Sequence, residues 1–151
     1  NSGGALINEY GQVVGINSAK ISATGYEGLG FAIPIDTAQP IISDLIQYGY
    51  VKDRAVLGIS GQFIDSMTGR FYGLPQGEYV AQLNSSEAQA SGLQVGDVIT
   101  AIDGQQLDSE STLRSAILSK KPGDTVTLQV YRSSTQQSAT VELKLSEYSA
   151  G

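Results

Sequence analysis

Ala38, Ile41, Ile42, Leu45 and Ile46 fall at i, i+3, i+4, i+7 and i+8, the spacing of one helix face. The pattern predicts a helix between Thr37 and Gly49. Thr37 is the better N-cap, because it puts Pro40 in the first turn, where a missing N–H costs nothing. Gly49 is a natural C-terminal stop. Ahead of this helix the pattern is that of strands. Ala5-Leu6-Ile7 is a short apolar run, Asn8-Glu9-Tyr10-Gly11 a turn signal, and Gln12–Ile16 a second run. Residues 20–28 are polar and glycine-containing and read as a loop. Leu29–Pro34 reads as a third strand stopped by proline. Tyr50–Ala55, with Lys52, Asp53 and Arg54, reads as a short linker.

From Val56 onward strands and helices mix. Strands are predicted at Leu57–Gly61, Glu78–Leu83, Val98–Ile102, Thr125–Arg132 and Ser138–Leu145. The last two alternate cleanly (Val126, Leu128, Val130; Ala139, Val141, Leu143, Leu145) around a polar Ser133–Gln137 connection, a hairpin with one buried face. A helix is expected from about Ser109 to Ser119, capped by Asp108, with Leu113, Ala116 and Ile117 on one face. A shorter turn of helix is expected at Glu87–Ser91, capped by Ser86 and stopped by Gly92.

Composition narrows the chemistry. The chain has 151 residues, a net charge of -6, no cysteine and no histidine. The acidic balance without charge runs argues against nucleic-acid or anionic-membrane binding. No apolar stretch approaches the ~20 residues of a membrane span, and the first residues show no signal-peptide pattern. Without cysteine there is no thiol nucleophile, disulfide or thiolate site. Without histidine the usual general base and the commonest metal ligand are both missing. Carboxylate pairs at Asp103 and Asp108, or Asp108 and Glu110, are better explained by turns and N-caps than by a metal site or a glycosidase pair. No metal and no cofactor is expected.

Asn1-Ser2-Gly3-Gly4 is a weak signal alone. It is followed in order by a strand, a turn, Gly15-Ile16-Asn17-Ser18 and Gly30-Phe31-Ala32-Ile33-Pro34. The series resembles the end of the trypsin-like domain of HtrA-type serine proteases, where the nucleophile sits in G-N-S-G-G-x-L, followed by G-I-N-T/S and G-F-A-I-P. The resemblance implies that Ser2 is a nucleophile whose N–H also serves the oxyanion, with Gly3 supporting the turn. It also implies a primary specificity pocket lined by Ile16, Asn17, Ser18, Gly30, Phe31 and Ala32. The family's second oxyanion donor, the glycine before the Asn, and its triad His and Asp have no counterpart in this sequence. A serine hydroxyl without a base is a poor nucleophile, so this chain alone is expected to be proteolytically inert.

Arg54-Ala55-Val56-Leu57-Gly58-Ile59 resembles the carboxylate-binding loop of HtrA PDZ domains, usually R-G-x-L-G-I/V, with Ala55 in place of the common glycine. Gly77-Glu78-Tyr79-Val80, Ala90-Ser91-Gly92-Leu93, Gly96-Asp97-Val98-Ile99, Ile102-Asp103-Gly104 and Lys121-Pro122-Gly123-Asp124 follow in PDZ order. Successive loop N–H groups would form a nest for a peptide's terminal carboxylate, and the next strand edge would pair with the peptide. Leu57 and Ile59 would floor the pocket for the last side chain, Leu113 and Ile117 would wall it, Val56 would line the loop, and Gly58 would permit the turn. Arg54 would add positive charge.

The resemblances imply a mixed β and α+β fold. Residues 1–50 would be a partial trypsin-like β-barrel segment with a C-terminal helix. Residues 54–147 would be a PDZ domain, a partly open β-sandwich or barrel with two helices. The implied function is that of part of an endopeptidase for protein quality control, whose PDZ domain takes apolar C-termini of unfolded or misfolded polypeptides. The parent would be an extracytoplasmic homotrimer, with a membrane anchor left open. The exposed strand edges and isoleucine-rich helix face of residues 1–50 need a partner, either the PDZ domain of the same chain or a second copy, and self-association through that segment is the favoured expectation. Two alternatives stay open: a non-proteolytic PDZ adaptor module, and a scaffold unit with an empty groove.

Overall fold

The computed structural model describes residues 1–20 and 30–148, and of Ala19 and Lys20 the backbone alone. The loop expected at 20–28 lies outside the described residues except for Lys20, which ends a strand. Leu29 also lies outside them. The chain forms two compact units, Asn1–Val51 and Lys52–Gly151.

In the first unit β1 (Ala5–Ile7), β2 (Val13–Lys20) and β3 (Gly30–Pro34) form an open antiparallel sheet in the order β1-β2-β3. The turn between β1 and β2 is built by Asn8, whose Oδ1 accepts from the N–H groups of Tyr10 and Gln12, each at 3.0 Å. Helix α1 (Ile35–Tyr48) follows β3 directly and packs on β2 and β3. It starts earlier than the sequence suggests. Its N-cap is Pro34, which makes no side-chain capping bond, and Thr37 lies inside the helix. The extended Pro34 hands the chain straight from strand to helix, and Asp36 in the first turn favours the positive end of the helix dipole. Pro40 then leaves the Asp36 carbonyl without its helical donor. The far end is as expected: Gly49 is left-handed (φ 79°) and its N–H meets the Leu45 carbonyl at 3.1 Å.

The second unit contains β4 (Ala55–Val56), β5 (Ile59–Ile64), α2 (Ser66–Tyr72), β6 (Gly77–Leu83), α3 (Ser86–Ala90) and β7 (Asp97–Ile102). After these come β8 (Gln105–Gln106), α4 (Glu110–Leu118), β9 (Thr125–Arg132), β10 (Gln137–Lys144) and β11 (Ser146–Glu147). The main sheet runs β10-β9-β7-β6-β5, with β8 on β7; β4 and β11 pair apart from it. The alternation read in the sequence sets the β9–β10 register. Val126, Leu128 and Val130 stand opposite Leu143, Val141 and Ala139. Their inward side chains join Val80, Ile99, Ile102 and Leu145 in the core, beneath Leu93 and Leu113.

Helix boundaries differ from the expectation where hydroxyl groups compete for a cap. Ser109, not Asp108, is the N-cap of α4; Asp108 accepts instead from the hydroxyls of Thr112 and Ser109. Ser85, not Ser86, caps α3, because Ser85 keeps extended backbone and its Oγ accepts from the Ala88 N–H at 3.1 Å. Helix α2 was not foreseen. Asp65 caps it by accepting from the Thr68 N–H at 2.7 Å, which lowers the Asp65 pKa, and left-handed Gly73 ends it.

One charged pair ties the core together. Asp97 is 1% exposed. It accepts from Arg132 Nε at 3.1 Å, Arg132 Nη2 at 3.0 Å and the Gln94 N–H at 3.0 Å, while Arg132 also reaches the Gly92 carbonyl at 2.8 Å. The contact joins β7 to β9 and to the turn after α3. Asp97→Ala is expected to lower the unfolding free energy by about 3 kcal/mol, because it strands the guanidinium and a backbone donor. Urea unfolding checks this; a loss below about 1 kcal/mol would mean the pair behaves as an exposed one.

Candidate functional site

Two clefts collect the residues singled out in the sequence. The first lies in unit one and has a volume of about 420 Å³. It is lined by Asn1, Ser2, Leu6, Asn17, Ser18, Gly30, Phe31 and Ala32. Six residues expected at the protease site therefore share one cavity. Ile16 is half-buried and is not among the lining residues. Gly3 is also absent from the lining; it is left-handed at φ 80°, and its N–H donates to the Asn17 carbonyl at 2.7 Å. The Asn17 N–H returns a bond to the Gly4 carbonyl at 2.9 Å, so the Ser2 turn is pinned to β2 from both sides. The Ser2 hydroxyl donates to the Ser18 carbonyl. A carbonyl oxygen cannot take up the proton, so this contact does not activate Ser2.

The second cleft, about 340 Å³, lies in unit two between the β4–β5 segment and α4. It is lined by Arg54, Ala55, Val56, Leu57 and Ile59 on one side, by Leu113, Arg114, Ile117 and Leu118 on the other, and by Glu78 and Glu110. The expected strand Leu57–Gly61 is broken here by Gly58 at φ 68°. The break separates β4, paired with β11, from β5 in the main sheet. The Gly58 carbonyl accepts from the N–H groups of Asn84 at 2.6 Å and Ser85 at 3.1 Å. A side chain at position 58 would collide with Ser85. Gly58 thus shapes the mouth of the cleft without lining it. Leu57 and Leu113 are buried at the base, Ile59 and Ile117 are half-buried, and Arg54 is exposed. Strand β5 ends the sheet order, so among the described residues its outer edge pairs with no other strand.

Glu78 and Glu110 were not singled out as lining residues. Glu110 ion-pairs with Arg114 at 2.5 Å. Glu78 is 9% exposed, and its Oε2 is buried with no hydrogen-bond partner among the described residues. Burial, and then the charge of Glu110, hold the Glu78 carboxyl above the ordinary carboxylate range. The other carboxylates considered as pairs are occupied separately. Asp103 accepts from the Thr127 N–H at 2.8 Å and from Lys120 Nζ at 2.7 Å, the lysine bond being the main cause of its lowered pKa. Among the described residues, no group of three or more acidic, His or Cys side chains is placed to hold a metal.

The family model described as PDZ domain matches residues 55–143. The serine protease Do-like HtrB of Bacillus subtilis is 41% identical over 145 residues, covering 87% of this chain and 31% of that protein. The periplasmic serine endoprotease DegP of Escherichia coli is 37% identical over 151 residues, covering 97% of this chain and 31% of that protein. The chain therefore spans less than a third of these relatives. A solved structure of the HtrA-type protease AlgW with decapeptide superposes with a TM-score of 0.67 and 29% identity, covering 99% of this chain and 46% of that one. With a PDZ model over more than half of its residues and HtrA-type proteases matching along nearly its whole length, the chain belongs to the PDZ-domain family and is a homologue of the HtrA/DegP serine proteases.

Proposed function

We propose that unit two binds the C-terminal end of an extended polypeptide whose last side chain is apolar. The observation that carries this reading is the free edge of β5 beginning beside the Gly58 turn, with an apolar cleft between that edge and α4. A peptide added antiparallel to β5 would end at the turn, where the N–H groups of the Val56–Gly58 loop receive its carboxylate. Leu57, Ile59, Leu113 and Ile117 enclose the last side chain, and Arg54 adds positive charge at the mouth. The decapeptide that accompanies AlgW in its solved structure supports the reading by analogy.

The whole protein, in this reading, is an extracytoplasmic HtrA-like endopeptidase for unfolded or misfolded proteins, assembled as a homotrimer. Residues 1–50 are then the end of its protease domain, with Ser2 the nucleophile. The names of the relatives, serine proteases and periplasmic endoproteases, support this. The chain alone retains peptide binding only, because it contains no histidine. Residues 1–50 also promote self-association: Ile41, Ile42, Leu45 and Ile46 are 39–81% exposed on the apolar face of α1.

Peptides ending in a free apolar residue are expected to bind with micromolar affinity, about 8 kcal/mol, and amidating the C-terminus should weaken them. Ile117→Lys should abolish binding while the circular dichroism spectrum stays native. Equal calorimetric affinities for free and amidated peptides would sink the carboxylate nest. The purified chain should leave casein intact; cleavage that disappears in Ser2→Ala would overturn the inert assignment. Light scattering at tens of micromolar should give a mass above the monomer, and a strictly monomeric mass would count against self-association through residues 1–50.

A further inference from the structure

The groove of unit two contains a group that terminal-residue recognition does not use. Glu78 projects from β6 on the same side as Val80, toward the core, yet it lines the cleft. It is more than nine-tenths buried, and its Oε2 has no partner among the described residues. Room for it comes from a neighbour on the edge strand. Gly61 has no side chain, and a Cβ there would stand 2.7 Å from Glu78 Oε1. The cations at this cleft are Arg114, which is committed to Glu110, and Arg54, at the loop that precedes β5. An ionised acid held in a mostly apolar cleft, with a second acid near enough to repel it, is unfavourable, and a ligand cation would supply the missing charge.

Its place along β5 says which ligand side chain meets it. The Glu78 carboxyl lies beside Gly61, two residues along the strand from Ile59, where the carboxylate loop ends. Two residues of strand span about 7 Å. In a peptide lying antiparallel to β5 with its terminus at the loop, the side chain at that level is two residues before the last. Alternation puts it on the same face as the last one, toward the cleft. A lysine or arginine there would lay its apolar stem along the groove and bring its charge to the carboxyl.

We propose that Glu78 is a specificity-determining residue that selects C-termini carrying a basic side chain two residues before an apolar terminal residue. The inference rests on the groove being the peptide site. A charge-assisted bond to an otherwise unpaired buried acid should favour lysine over leucine at that position by about tenfold, which corresponds to about 1.4 kcal/mol. Glutamate there should bind more weakly still.

The test uses the full chain and three peptides ending in valine, with Lys, Leu or Glu two residues earlier, titrated by fluorescence anisotropy. The order Lys, Leu, Glu is expected for the wild type. Glu78→Gln should bring the Lys and Leu peptides within twofold of each other, and Glu110→Gln should retain most of the preference. The thermal melt of Glu78→Gln should match or exceed the wild type, since it removes an unpaired buried charge, and that of Glu110→Gln should stay close to it, since only an exposed ion pair is lost. Equal affinity for the Lys and Leu peptides, or a lysine preference that survives Glu78→Gln, overturns the role of Glu78 and leaves groove binding intact. If none of the three binds, and amidation therefore changes nothing, the groove is not the peptide site and both readings fall together.

Discussion

The second unit depends on one backbone constraint, the left-handed turn at Gly58. A strand that continued from Ala55 through Ile64 would have one hydrogen-bonding direction and one edge. The φ of 68° at Gly58 divides it. Ala55 and Val56 go to β11, and Ile59–Ile64 goes to β6. The Gly58 carbonyl is fixed by the N–H groups of Asn84 and Ser85, and Ser85 in turn caps α3 through Ala88. One residue therefore couples the mouth of the cleft, the end of β6 and the start of a helix. A side chain there would be strained by the left-handed conformation and would also collide with Ser85. The loop is tied by these bonds and by the pairing of its two flanking strands, which would preorganise it for the proposed peptide terminus.

Asp97 and Glu78, the buried carboxyls among the described residues of this unit, show how similar chemistry can serve different ends. Asp97 is nearly sealed, but two guanidinium nitrogens and a backbone N–H meet its oxygens. Removing water from such a group is tolerable because each oxygen has a replacement donor. Glu78 is almost as buried and has no such set. The difference follows from position. Asp97 sits where β7, β9 and the preceding turn converge, so donors are close on three sides. Glu78 sits in the second strand from the edge, beside a glycine on the edge strand, and faces a cleft with apolar walls.

Much of the architecture was legible because burial imposes a period. The β9–β10 hairpin has one face on the core, so its apolar residues alternate and its strands could be located to within a residue. The apolar stripe of α4, Leu113, Ala116 and Ile117, likewise predicted its inward face, and it was the family resemblance that marked Leu113 and Ile117 as the wall of the cleft they line. Helix α2 was not legible because it lacks such a stripe. Met67, Phe71 and Tyr72 are 68–84% exposed, and the buried residue is Gly69, where a Cβ would stand 2.5 Å from the Leu74 carbonyl. It is defined by its caps, Asp65 and Gly73, and caps alone resemble ordinary turns in a sequence. Thr37 misled for a related reason. Its hydroxyl fits the pattern of a cap, whereas Pro34 passes directly from extended to helical backbone with no side-chain cap at all.

Glu78 escaped the reading for a different reason. In a strand alternating between faces, a single acid reads as a solvent-facing position, and the apolar neighbours that bury it come from other segments. Val80, two residues on, is fully buried, so Glu78 shares a face with a core residue. That parity was available in Gly77-Glu78-Tyr79-Val80. What the sequence could not supply was the distance to Gly61, since it depends on the register of β5 against β6, which sets Gly61 opposite Val80 and Phe63 opposite Glu78. The Glu78 carboxyl reaches back along the strand into the gap that Gly61 leaves. The groove's lining is thus set in two stages. Periodicity places the apolar residues, and the register between two strands places the charge.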